Sequence, residues 1–149
     1  MTTAYITVDD ADTYFSERLN TSAWDISTTT DKGIALKDAT KRIDRLNFIG
    51  EKNESDQERQ FPRYDDTTIP YDIQYATAEL AMVLLDDIDP NMEIELLGMK
   101  SQGLASARST YDRSFVPEHL QAGIPSSEAW AYLKPYLVDP QSIEVNRAT

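Results

Sequence analysis

The chain contains no cysteine. That excludes a disulfide framework, a thiol nucleophile and any cysteine-ligated metal site. It carries a single histidine, His119, in the stretch Pro117 to Pro125. This stretch reads as a loop and assembles no serine triad around a histidine base. The five glycines are scattered, and none falls into a phosphate-cradling pattern. The apolar run Ile73 to Leu85 is shorter than the roughly 20 residues that cross a bilayer, so no membrane association is expected. Met1 to Ala4 lacks the charged start and apolar run of a secretory leader, which makes synthesis in the cytoplasm the expectation. Cations are scarce: 14 Lys and Arg face 26 Asp and Glu, for a net charge of −12. Sequence-independent grip on duplex DNA runs on Lys and Arg contacts to phosphates, so this balance argues against it. It suits a soluble protein, or a surface that must not hold nucleic acid. No cofactor, metal or catalytic residue set is expected, and the chain reads as a non-enzyme.

What is present fits one domain of 149 residues, large enough for a hydrophobic core. The organising stretch is Ile73 to Leu85, IQYATAELAMVLL, apolar on nearly every side, as in a helix covered all round. Its polar exception is Glu79. A carboxylate there either points out through a gap or is paired, because an unpaired buried charge is very costly, and Arg42 or Arg45 is the expected partner. Pro70 falls near the first turn of this helix, where proline is tolerated.

Thr7 followed by Asp10 is a capping-box spacing, with acids in the first turn. It opens a helix predicted over 7–19, with Val8, Ala11, Phe15 and Leu19 as its apolar stripe. Residues 20–27 read as a loop in which Trp24 plugs the end of the core. Thr28 with Asp31 caps a second helix, predicted to run to about Asn47, with Leu36, Ala39, Ile43 and Leu46 on one face. Lys37, Lys41 and Arg45 fall four apart on another face. This basic stripe is either a solvated face balanced by acids such as Asp38 and Asp44, or a contact with phosphate or with an acidic neighbouring subunit. Single-strand binding by stacking would want interleaved aromatics, and the stripe has none.

Gly50 is placed for a left-handed turn at the end of that helix. Residues 51–58 read as an exposed loop. Phe61, biased to extended backbone by Pro62, pins the loop to the core. Asp87, Asp89, Asn91 and Glu93 alternate like the start of a calcium loop. Met92 then holds the glycine position and Gly98 the bidentate-acid position, so the segment reads as an acidic helix end. Residues 92–116 suggest a β-hairpin or extended arm. A short last helix is expected over 128–134, capped by Ser126 or Ser127 and ended by Pro135, with Trp130 and Leu133 facing inward. The final residues, 138–149, read as a flexible tail or as an arm that orders only on a partner. The fold class is mainly α: a small bundle of about four helices over 1–137 with an extended insertion and a C-terminal arm.

One resemblance spans most of the chain. Residues 4–15 (AYITVDDADTYF), Ala23-Trp24-Asp25, Ala35 to Asp44 with its Arg42-Ile43-Asp44, and Phe61-Pro62-Arg63 occur in an order similar to a tailed-phage family. The helix Ala76 to Leu85 and Leu133-Lys134-Pro135-Tyr136-Leu137 also fit. Members are head–tail connector (adaptor, or head-completion) proteins, and some relatives carry the label DnaT-like single-stranded-DNA-binding protein. The resemblance implies a helical subunit of a homo-oligomeric ring, usually dodecameric, beneath the portal protein at the neck of the virion. Such a ring extends the channel, lets genomic DNA pass without tight binding, and docks the tail, stopper or tail-terminator protein. It implies portal contact by the C-terminal arm, here Val138, Ile143, Val145 and Arg147. Lys37, Lys41 and Arg45 would be the inter-subunit contact. Trp24, Phe61, Pro62, Arg63 and Glu79 would be structural anchors.

Overall fold

The computed structural model describes residues 3–63, 67–86 and 117–138. Among them the protein is helical and contains no strand, only two isolated antiparallel bridges. Six α-helices appear in order: α1 (Val8–Ser16), α2 (Ser22–Asp25), α3 (Thr29–Asp44), α4 (Tyr71–Leu85), α5 (Glu118–Gln121) and α6 (Ser127–Leu133). A 3-10 turn, Lys134–Tyr136, continues α6. The four longer helices form the bundle; α2 and α5 are single turns. The suggested hairpin, the calcium-like run and Ile143, Val145 and Arg147 lie outside the described residues.

Helix α4 is the axis. It packs chiefly against α3 on one side and α6 on the other, with α1 and α2 closing over it. Every residue from Ala76 to Met82 is buried, which explains why this helix is apolar all round. Thr77, inside that run, is satisfied locally because its hydroxyl donates to Ile73 O at 2.7 Å. Thr40 on α3 does the same to Leu36 O (2.8 Å) and also accepts from Tyr5 N (3.1 Å). The start of the chain is thereby fastened to α3.

The caps are those the sequence spells out. Thr7 accepts from Asp10 N and Thr28 from Asp31 N, each at 3.1 Å. Ser126, rather than Ser127, caps α6 by accepting from Ala129 N. Each satisfies one of the amide groups that a helix start leaves without an intrahelical partner.

Helix ends differ from expectation. α1 stops at Ser16, and Asn20 adopts φ 61°. The chain therefore turns away before Leu19 can join the stripe, and Leu19 is 82% exposed. α3 ends at Asp44, where Arg45 N and Leu46 N turn back to Arg42 O and Ile43 O in a tighter final turn. Trp24 sits on a helical turn rather than in a loop, and so does His119, whose Nδ1 contacts Ile124 O at 2.8 Å. The last α-helix does end just ahead of Pro135, at Leu133, and the chain runs on as a 3-10 turn whose start tolerates the proline.

Residues 47–49, just past α3, meet residues 136–138 that follow α6. Phe48 bridges Leu137, Ile49 N donates to Tyr136 O (2.9 Å) and Val138 N to Asn47 O (3.0 Å). Gly50, at φ 83°, makes the left-handed turn that follows.

Candidate interaction surfaces

Part of what carries the resemblance, Tyr5, Asp44, the Phe61-Pro62-Arg63 run and Tyr136, meets in one hub. Tyr5 is buried and its hydroxyl donates to Asp44 at the end of α3. The same oxygen accepts from Gln60 N (3.1 Å) and Phe61 N (3.3 Å). Asp44 also takes Arg59 Nη1 at 2.8 Å. Phe61, across a cis bond to Pro62, packs edge-on against Tyr5, Phe48 and Tyr136. Arg63 is buried beneath it. Its guanidinium donates to Ile49 O and Gln60 O, each at 3.1 Å, to Gln60 Oε1 at 3.0 Å, and to Phe48 O and Gly50 O. Asp44 therefore belongs to the hub and does not balance the basic stripe.

At the other end of the bundle, Trp24 is buried, and its indole N–H donates to Asp12 at 2.7 Å. Lys32 pairs with the same carboxylate at 3.1 Å and lies 5.0 Å from the centre of the Trp24 ring. Glu79 is buried mid-way along α4. Its partner is Arg18, not Arg42 or Arg45: Arg18 Nε and the Tyr14 hydroxyl (2.7 Å) both meet Oε1. Arg42 instead pairs with Asp38 of its own helix at 3.6 Å. The expectation looked one helix too far along the chain. Arg18 lies just past the end of α1, where the backbone turns and lets its side chain reach back over α4.

Two phenols, the buried Tyr5 and the half-buried Tyr14, are pushed far above the ordinary tyrosine range. Burial is the main cause for both. Hydrogen bonding to Asp44 adds to it for Tyr5, and hydrogen bonding to Tyr132 and Glu79 for Tyr14. A raised folded-state value means the protonated phenol supports folding below about pH 10, the unfolded value, and that support is lost as pH rises beyond it. We expect stability to be insensitive to these groups through neutral pH. It should fall above about pH 10 by on the order of 1 kcal/mol per pH unit from Tyr5 alone. Urea unfolding between pH 8 and 11.5 checks this, since Tyr5→Phe should flatten the alkaline slope; equal slopes would refute the assignment.

Two surfaces remain beyond the hub. Lys37, Lys41 and Arg45 are all exposed along α3, and among the described residues none has an ion-pair partner. The second surface is a groove of about 320 Å³ between α1 and the first turns of α4. Asp10, Thr13 and Glu17 form one wall, and Tyr71, Gln74 and Tyr75 the other. Tyr14 and Tyr75 stack at 4.7 Å and 17°, and Tyr71 stacks outside Tyr75 at 6.0 Å and 22°. Tyr71 is 71% exposed, so its outer face is open. The sequence reading missed this ladder, although Tyr71 and Tyr75 at i, i+4 were its visible signal. Among the described residues no group of three or more His, Asp or Glu could hold a metal ion. No helix there is long and apolar enough to cross a membrane.

The fold is that of a small helical domain. A protein-family model described as "Putative DnaT-like ssDNA binding protein" matches residues 2–95. The match covers more than half of the chain, and the protein belongs to that family. No curated protein and no solved structure matches it.

Proposed function

We propose that this protein is a non-catalytic subunit of a head-to-tail adaptor ring in a tailed phage. It would sit under the portal at the neck of the virion, extend the DNA channel and dock the tail or stopper. The observation that carries this reading is that, among the described residues, the basic stripe and the open tyrosine stack lie on different surfaces. The Lys37–Lys41–Arg45 stripe has no aromatic among it, and the open tyrosine stack is walled by Asp10 and Glu17. Single-strand binding needs a basic track and stacking faces together. A channel that passes DNA should repel rather than retain it, which a net charge of −12 favours. The stripe is then the inter-subunit contact, in a heterologous interface that closes by rotation. The portal contact is the segment from Val138 onward, whose first residue is tied to Asn47.

A second reading, a single-stranded-DNA-binding accessory protein, is favoured by the description of the family that the chain belongs to. Fluorescence anisotropy with a labelled single-stranded oligonucleotide separates the two. The adaptor reading expects no binding at low or physiological salt, and rings when the protein is mixed with portal. Tight binding that weakens steeply with salt would replace it with the second reading and make the basic stripe the phosphate track.

A further inference from the structure

We propose that the tyrosine groove between α1 and α4 is a socket for basic side chains, and that its occupant is the Lys37–Lys41–Arg45 stripe of a second copy of this chain. The inference deepens the adaptor reading by naming the face that receives the stripe.

The groove has the chemistry of a cation acceptor. Asp10 and Glu17 stand exposed on its rim, and among the described residues neither carboxylate has an ion-pair partner. Beside them the Tyr14–Tyr75–Tyr71 stack presents its last ring face to solvent. An aromatic face next to a carboxylate attracts an ammonium or guanidinium through both the ring quadrupole and the charge. The same walls repel a phosphate, which sets the groove against nucleic acid. Asp72, the remaining acid at this end of α4, is already engaged by the Tyr136 hydroxyl at 3.2 Å.

The stripe fits in spacing as well as sign. Asp10 on α1 and Glu17, which caps its end, are seven positions apart, about 10 Å along the axis. Lys37 on α3 and Arg45, which caps its end, are eight positions apart, about 12 Å. Two helices laid side by side can thus match charges over two turns. Among the described residues this exposed cation row has no ion-pair partner within its own subunit. Donor and acceptor are different patches of the same molecule, so the contact is head-to-tail and propagates to a ring if the rotation closes.

Assembly of the full-length protein tests this, read by sedimentation velocity at low and physiological salt and by electron microscopy on the portal. One variant reverses the socket (Asp10→Lys with Glu17→Lys) and another the stripe (Lys41→Glu with Arg45→Glu). Each alone should weaken association by about tenfold or more, because like charges then face each other. An equimolar mixture of the two should recover it, since a reversed socket meets a reversed stripe. Tyr71→Ser should weaken association while leaving the circular dichroism unchanged. The pairing is overturned if the reversed chains assemble like the original, if the mixture is no better than its components, or if the original assembles in neither setting. It is also overturned if oligothymidine binds and Tyr71→Ser abolishes that binding, which would assign the groove to nucleobases. Normal rings on the portal from the socket variant would sink the pairing and leave the adaptor reading standing. Rescue by mixing without any loading on the portal would do the reverse.

Discussion

Arg63→Met should cost about 3–5 kcal/mol of folding stability, lowering the melting temperature by roughly 10–15 °C in a domain of this size. Two effects compete. Methionine removes a buried charge, which by itself is favourable, and it keeps an unbranched apolar stem in place of the one Arg63 lays near Phe61. Against this, the guanidinium donates to four backbone carbonyls, those of Phe48, Ile49, Gly50 and Gln60, and to the Gln60 side chain. Hydrogen bonds from a charged donor contribute about 1.5–3 kcal/mol each, and a buried acceptor left bare costs about 1–3 kcal/mol. Ile49 and Gly50 are exposed enough for water to replace part of the loss; Phe48 is not. The hydrogen-bonding term therefore wins. Arg63→Lys keeps the charge but not the planar fork, and should recover less than half of the difference. Thermal melts of the two variants decide it: a melting temperature within 2–3 °C of the parent for Arg63→Met, well under the shift expected from a cost of several kcal/mol, would mean the loop holds without its clamp.

Arg18→Met should destabilise the domain by about 3 kcal/mol, the low end for breaking a buried ion pair, because Arg18 itself reaches solvent. What makes the loss large is Glu79. Its side chain is 1% exposed, and its Oε2 already lacks a hydrogen-bond partner. Without Arg18 the carboxylate is left with the Tyr14 hydroxyl alone. Glu79→Gln removes the charge as well and keeps an acceptor for Tyr14, so it should cost less than Arg18→Met. In Glu79→Gln the further change Arg18→Met should have little left to remove. The equivalent change at exposed Arg45 should stay within about 0.5 kcal/mol, as expected of a surface substitution. A double-mutant cycle by urea unfolding measures the coupling directly; additive effects of Arg18 and Glu79 would sink the pairing.

The local features of the fold were legible because their causes are local. A side-chain oxygen three residues before an amide is enough to specify a cap, so Thr7 and Thr28 could be read off the chain. A run apolar on nearly every side is enough to specify a helix covered all round, so α4 could be read as the axis. Helix ends were less legible, because what stops α1 at Ser16 is a backbone turn through Asn20 rather than any break in the apolar spacing. Leu19 was misplaced for that reason.

By itself the sequence determined the helical class, the central position of α4, the caps, the exposed basic row on α3 and the need of Glu79 for a partner. Only the tertiary structure decided which partner, since Arg18, Arg42 and Arg45 are equally plausible cations until the helices are packed. It alone brought Tyr5 to Asp44 across 39 positions, and wrapped Arg63 around the carbonyls that follow α3. It alone turned Tyr14, Tyr71 and Tyr75, from two separate helices, into one stacked wall facing Asp10 and Glu17. The reason is physical: caps and periodicity act within a few residues, whereas a buried charge, an aromatic stack or a groove is completed by whichever distant atoms the packing delivers to it.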